Sequence, residues 1–200
     1  MKVQVQRNKT AALCALCAVL FAGLSATAGV RLVRECDAAQ WPALLQELKE
    51  VNLDAKPYYF SKRSRNFDHE IRLMTPLAQT AGFVQRNEKD PAAMALERSL
   101  PFLTSGVVTL EVCSMARGRE QAEAVQAALK TDAKTLTPIA SQHVNTRLRQ
   151  VGFYAEPYYQ SLKTFSFDAE DLAGATFLSI VVTEPEGKTL EIEVDLKKLR

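Results

Sequence analysis

The run Ala55-Lys56-Pro57-Tyr58-Tyr59-Phe60-Ser61 returns 100 residues later (155 − 55) as Ala155-Glu156-Pro157-Tyr158-Tyr159-Gln160-Ser161. Phe67-Asp68 returns at the same offset as Phe167-Asp168. Each copy follows a Leu-basic-polar-Val run, at Leu48 to Val51 and at Leu148 to Val151. Upstream, Gly29-Val30 stands seven residues before Cys36, and Gly106-Val107 stands seven before Cys113. Self-similarity of this kind constrains the fold strongly, because each copy must form the same supersecondary unit. The reading is a duplicated strand–helix–strand, with residues 29–105 and 106–200 as related halves of one compact domain, 29–200. The second copy is longer between its Cys and its Pro-Tyr-Tyr (157 − 113 = 44 against 57 − 36 = 21), which predicts an extra helix there. Strand, helix, strand with short links implies parallel pairing.

Periodicity fills in the units. Gly29 to Glu35 alternates as a strand does. Trp41, Leu44, Leu45, Leu48 and Val51 share one helical face, with Pro42 in the first turn. Leu53 to Phe60 reads as a strand and Ser61 to Asn66 as a basic loop. Phe67 to Met74 reads as a strand, with a helix from Asp68 as the competing reading. Helices are expected over Leu77 to Gln85 and over Ala92 to Leu100, the latter opened by Asp90-Pro91 and closed by Pro101. Gly106 to Cys113 is a clear strand. Met115, Ala122, Val125 and Leu129 predict a helix to Lys130, and Ala140, Val144, Leu148 and Val151 another, from Thr137 to Gly152. Phe153 to Gln160, Thr164 to Phe167 and Thr176 to Thr183 read as strands. Glu184 to Gly187 is a turn, and Leu190, Ile192, Val194 and Leu196 then alternate with charged residues, which predicts a C-terminal antiparallel hairpin. The fold class expected is therefore α+β or α/β: two β-α-β-type halves plus that hairpin, forming one mixed sheet covered by helices.

The N-terminus reads as an address. Lys2, Arg7 and Lys9 precede an uncharged apolar run of 14 residues, Ala11 to Leu24, and Ser25-Ala26-Thr27-Ala28 supplies small residues for signal peptidase. This pattern predicts a secretory signal over residues 1–28 cut between Ala28 and Gly29, hence export to the periplasm or the medium. The rival is a retained anchor, but the run is short of the ~20 residues that span a bilayer. The charge argument changes with the cut. The whole chain has 25 basic and 23 acidic residues, and the signal holds three of the bases and no acid, so the remainder is 22 − 23 = −1. That balance argues against nucleic acid as a partner. Cys36 and Cys113 remain after the cut, and in an oxidising compartment they are expected to pair; the rival is two buried thiols. Such a bridge would close 113 − 36 = 77 residues, an effect of roughly 4 kcal/mol in the chain-entropy picture.

Little in the chain speaks of catalysis. His69 and His143 are its two histidines, neither with a partner at metal-ligand spacing, and no metal or cofactor is expected. No phosphate loop, dinucleotide fingerprint, nucleophile elbow or calcium loop occurs. The one Cys-x-x-Cys, Cys14 to Cys17, lies inside the signal. If residues 67–74 form a strand, Asp68 and Glu70 point away from His69. The Pro-Tyr-Tyr copies are the candidate binding feature: Tyr58, Tyr59, Tyr158 and Tyr159 as a paired aromatic platform, with Lys62, Arg63 and Arg65 as an anion contact beside the first copy. The competing reading is strand-end packing beside a solvated basic loop.

Gly106 to Lys130, a strand followed by an Ala-rich stretch with Glu120, Ala122 and Ala124, resembles the opening of a SPOR domain. The resemblance covers about 25 residues of this chain, lacks the aromatic-rich strand start of that family, and implies a duplicated βαβ-type fold that binds peptidoglycan. The function expected from the whole reading is a soluble, exported cell-envelope protein of non-catalytic binding or adaptor type, meeting a partner protein or cell-wall component and keeping no stable membrane span. A small exported hydrolase using His69 and Asp68, and an assembly protein that pairs with itself through an edge strand, are the alternatives.

Overall fold

The computed structural model describes residues 38–90, 92, 95–150, 156–172 and 174–196. The expected signal segment over residues 1–28, the strand expected over Gly29 to Glu35, and Cys36 lie outside those residues. The described chain is an α+β fold of two antiparallel sheets and four helices.

Helix α1 spans Trp41–Lys49, with proline in its first turn and Trp41, Leu44 and Leu48 buried at helical spacing. The chain then turns. The Asn52 side chain accepts from the Asp54 N–H at 3.1 Å, and the N–H groups of Tyr58 and Tyr59 both reach the Ala55 carbonyl. Residues 53–58 therefore do not form the expected strand, because their backbone groups bond locally. Strand β1 is Tyr59–Arg63 and takes in part of the expected basic loop. A two-residue turn, Arg65-Asn66, closed by Ser64 N–H to the Phe67 carbonyl at 2.8 Å, leads into β2, Asp68–Met74. Its alternating burial places His69, Ile71 and Leu73 inward.

Thr75 caps helix α2, Pro76–Arg86, accepting from the Ala78 N–H at 3.1 Å. Pro76 thus opens a helix as well as ending a strand. Helix α3 is Leu96–Leu103, shifted along from the expected span, and Pro101 lies inside it. Proline removes one ladder bond there, and the helix runs on to bury Leu103, which is 1% exposed.

Strand β3, Val107–Ala116, follows, then a single-turn helix α4, Arg119–Glu123. The longer helix expected to Lys130 is replaced by strand β4, Gln126–Thr131, where Ala127, Leu129 and Thr131 are buried in alternation. Pairing overrides the helix preference of the alanines, and with it goes the resemblance over that stretch. After β5, Thr135–Leu136, the helix expected from Thr137 is instead strand β6, Ala140–Arg149. Strand β7 is Tyr158–Asp168, a 3-10 turn covers Glu170–Leu172, and β8, Leu178–Thr183, pairs with β9, Thr189–Val194.

The five-stranded sheet runs β1-β2-β3-β7-β6 and the four-stranded sheet β5-β4-β8-β9. Every pairing among these strands is antiparallel. The parallel pairing and single mixed sheet read from the repeat are therefore not what the described residues form. Each repeat copy opens a strand, β1 or β7, but β1 follows a turn and β7 the far end of β6. The core includes Ile71, Leu110, Phe165 and Phe167 from the larger sheet and Leu129, Leu178, Ile180 and Val182 from the smaller. No helix among the described residues is long and apolar enough to cross a membrane.

Candidate functional site

The register of the larger sheet separates the two tyrosine pairs. Tyr59 stands opposite Arg72, Arg72 opposite Glu111, and Glu111 opposite Thr164. Tyr158 lies six residues before Thr164 on β7, about 20 Å along the strand at ordinary strand rise. The pairs therefore occupy opposite ends of the sheet and make no common platform. Tyr58 is buried, and Tyr159 packs against the core. Tyr59 carries the Arg72 guanidinium 5.8 Å above its ring. Lys62 is exposed on the edge strand β1.

Tyr158 has other neighbours. It lines an open cleft of about 440 Å³ together with Arg63, Arg65, Asn66, Met115 and Arg117. The cleft sits where the β1–β2 turn, the end of β3 and the start of β7 converge. Three candidates named from the sequence, Arg63, Arg65 and Tyr158, are brought together here. Arg117 was not singled out, although its neighbour Glu156 belongs to the second repeat copy and was a signal to look there.

The charges in the cleft differ in their engagement. Arg63 Nη2 donates to Asp68 Oδ2 at 3.0 Å across the hairpin, and this guanidinium holds the Asp68 carboxyl below its usual range. Arg117 Nη2 lies 2.7 Å from Glu156 Oε2, both largely exposed, so that pair is worth little on its own. The Arg65 guanidinium has no partner among the described residues. The Ser64 hydroxyl, also in the cleft wall, is buried without a hydrogen-bond partner among the described residues. Arg63 is also held by Nε to Asp68 Oδ1 at 2.5 Å, a two-bond fork on a carboxylate that itself lines the cleft. The planar Arg65 fork and the Arg117 cation, whose exposed pair is weak, are therefore the groups that suit a carboxylate or phosphate group.

The second polar feature lies inside the protein. His69 Nδ1 is 3.0 Å from Ser114 Oγ, and Nε2 is 3.3 Å from Glu184 Oε1. The ring stacks on Phe67 at 5.5 Å, 7° from parallel. Burial pushes the imidazole below its ordinary titration range, against the pull of the Glu184 carboxylate. A carboxylate can only accept, so Nε2 carries the proton and Nδ1 accepts from the Ser114 hydroxyl. The order resembles a nucleophile–base–acid chain, but His69, Ser114 and Glu184 are 0%, 1% and 3% exposed, so no substrate reaches them. Asp68, paired with His69 in the hydrolase alternative, points to the other face of β2. His143 is exposed on β6, its Nε2 2.8 Å from Thr146 Oγ1.

Cys113 is a free thiol in the structure and accepts from Gln160 Nε2 at 3.0 Å. Burial raises its pKa. Its expected disulfide partner, Cys36, lies outside the described residues. No group of three or more potential metal ligands occurs among the described residues. No protein-family model matches the chain, and no curated protein matches it.

Proposed function

We propose that this chain is an exported cell-envelope protein that works by binding, and that its cleft takes a carboxylate or phosphate group of a cell-wall component. The observation that carries the reading is the convergence of Arg63, Arg65 and Arg117 with Tyr158 around one concavity, with the Arg65 fork unpaired among the described residues. Guanidinium forks recognise planar anions through two parallel hydrogen bonds, and a tyrosine beside them adds a flat apolar wall with a polar tip. Export is supported by the basic, apolar and small-residue order of residues 1–28. A non-catalytic role is supported by the burial of His69 and by Asp68 facing away from it.

The test is co-sedimentation of the chain recovered from its own cells with purified cell-wall polymer, at low and high salt. Arg65→Ala and Arg117→Ala are each expected to weaken binding about tenfold, the scale of one lost hydrogen-bonded charge contact. Binding that both variants leave unchanged overturns the reading. The mass of the recovered protein tests export separately, since a chain starting at Gly29 is expected.

A further inference from the structure

Among the described residues, strand β6 is an open edge of the larger sheet, hydrogen-bonded on one side to β7 and unpaired on the other. It is long and exposed, and Val144 and Leu148 on it are 47% and 60% exposed. It is also cationic. Its ten residues include Arg147 and Arg149 and no acid. A bulge between His143 and Asn145 breaks its register, which confines regular pairing on the open side to Asn145 through Arg149.

Among the described residues, strand β9 is an edge of the smaller sheet, paired only with β8. It has the opposite charge: Glu191 and Glu193 are exposed while Ile192 and Val194 are buried. Lys130 Nζ engages Glu191 at 3.3 Å. The Glu193 and Arg147 side chains have no partner among the described residues.

We propose that β6 of one copy pairs edge to edge with β9 of a second copy, extending the five-stranded sheet of one molecule into the four-stranded sheet of the next. The faces agree. Leu148 stands opposite Tyr159, which stands opposite the buried Ala116, so Leu148 is on the core side of its sheet and Arg147 and Arg149 are on the outer side. In an antiparallel register with Arg147 opposite Glu193, Arg149 falls opposite Glu191 and Leu148 opposite Ile192. Both acid–base pairs then lie on the outer face and the apolar pair on the core face, the arrangement that stabilises cross-strand neighbours. Pairing β9 with β9 would set acid against acid, and pairing β6 with β6 would bring no acid to the arginines, so charge selects the unlike edges. Because the two edges are different surfaces of one molecule, the contact is head-to-tail and closes into a ring or continues as a filament.

The test is sedimentation of the full chain as recovered from cells, over a concentration series at low and high salt. The average mass is expected to rise with concentration above that of a single copy and to fall back with salt. Arg147→Glu and Glu193→Lys, both on exposed side chains, are each expected to weaken self-association about tenfold, as an attractive pair becomes a like-charge one. Mixing the two variants is expected to restore it. At one junction the two introduced charges meet as opposites, and at the next the parent Arg147 of one variant meets the parent Glu193 of the other. Restoration also shows that both variants are folded. A single-copy mass at every concentration overturns the proposal, as does a Glu193→Lys variant that assembles like the parent, or a mixture of the two variants that stays dissociated.

Discussion

His69 Nε2 lies 3.3 Å from Glu184 Oε1, and the contact joins the larger sheet to the turn that follows a strand of the smaller one. His69 is on the inward face of β2, and Glu184 is the residue immediately after β8. The contact is a buried polar pin between the two sheets, extended on the other side of the ring by Ser114. Removing His69 leaves Glu184 buried without this partner. His69→Ala is expected to destabilise the fold by about 3 kcal/mol, as for other broken buried pairs. Glu184→Gln, which keeps shape and one acceptor, is expected to cost about 1–2 kcal/mol. The shift in urea midpoint at unchanged slope measures both, and equal midpoints for parent and variants would show the pin to be idle.

The same histidine makes stability depend on pH. Its folded pKa lies below the ordinary value of 6.5 because burial disfavours the imidazolium. The unfolded chain therefore takes up the proton first, so acid favours unfolding. The contribution is complete above pH 6.5 and is lost as pH falls through the lower, folded value. Thermal midpoints of the parent are expected to drop across that window, whereas those of His69→Gln lack this part of the slope. The Asp68 carboxyl, held below its usual value by Arg63, adds a loss with the same sign at lower pH in both proteins.

Lys163 bonds to backbone rather than to an acid. From β7 its ammonium donates to the carbonyls of Glu123 at 3.0 Å and Val125 at 2.8 Å, at the end of α4 and the start of β4. Burial lowers its pKa. Lys163→Met keeps the stem but leaves both carbonyls without this donor, and is expected to cost about 1–3 kcal/mol. Hydrogen exchange is expected to quicken locally over residues 119–126. An unchanged exchange pattern would mean that other groups hold that corner.

Gly187 sits at φ +80° in the turn between β8 and β9, with open space around it. A side chain there meets no neighbour, so the cost of Gly187→Ala is backbone strain alone, about 1 kcal/mol. Gly187→Asn is expected to cost less, because asparagine tolerates the left-handed region. Equal melting temperatures for parent and the alanine variant would refute this account.

Strands with one buried face were legible in the sequence. Alternation placed strands where β3 and β9 lie, because Val108, Leu110 and Val112, or Ile192 and Val194, must face one core. At β2 the alternation of His69, Ile71 and Leu73 left strand and helix as competing readings that the pairing with β3 resolves. The illegible elements fail for two separate reasons. In β6 neither face is buried, so the spacing of Val144 and Leu148 reports no packing and reads equally as a helical stripe. In β4 two alanines bring helix preference to a segment whose conformation is set by β8, some 50 residues later (178 − 126 = 52). The cleft was half legible: the tyrosines and arginines were visible, but the pairing that unites Tyr158 with Arg65, and not with Tyr59, depends on register. Ser114 and Glu184 carry no local signal, since their role exists only once two sheets meet around His69.

The strand order also has a consequence in time. β3 pairs with β7 and β4 with β8, so the chain leaves the larger sheet, starts the smaller one, returns and leaves again. Neither sheet can close while the chain is only half delivered. A molecule that emerges amino end first, from a ribosome or through a membrane, holds out the hydrogen-bonding edge of β3 until β7 arrives more than 40 residues later (158 − 116 = 42). Such interleaving makes folding late and concerted, and it leaves a long interval in which a chaperone or another copy of the chain can seize the waiting strand.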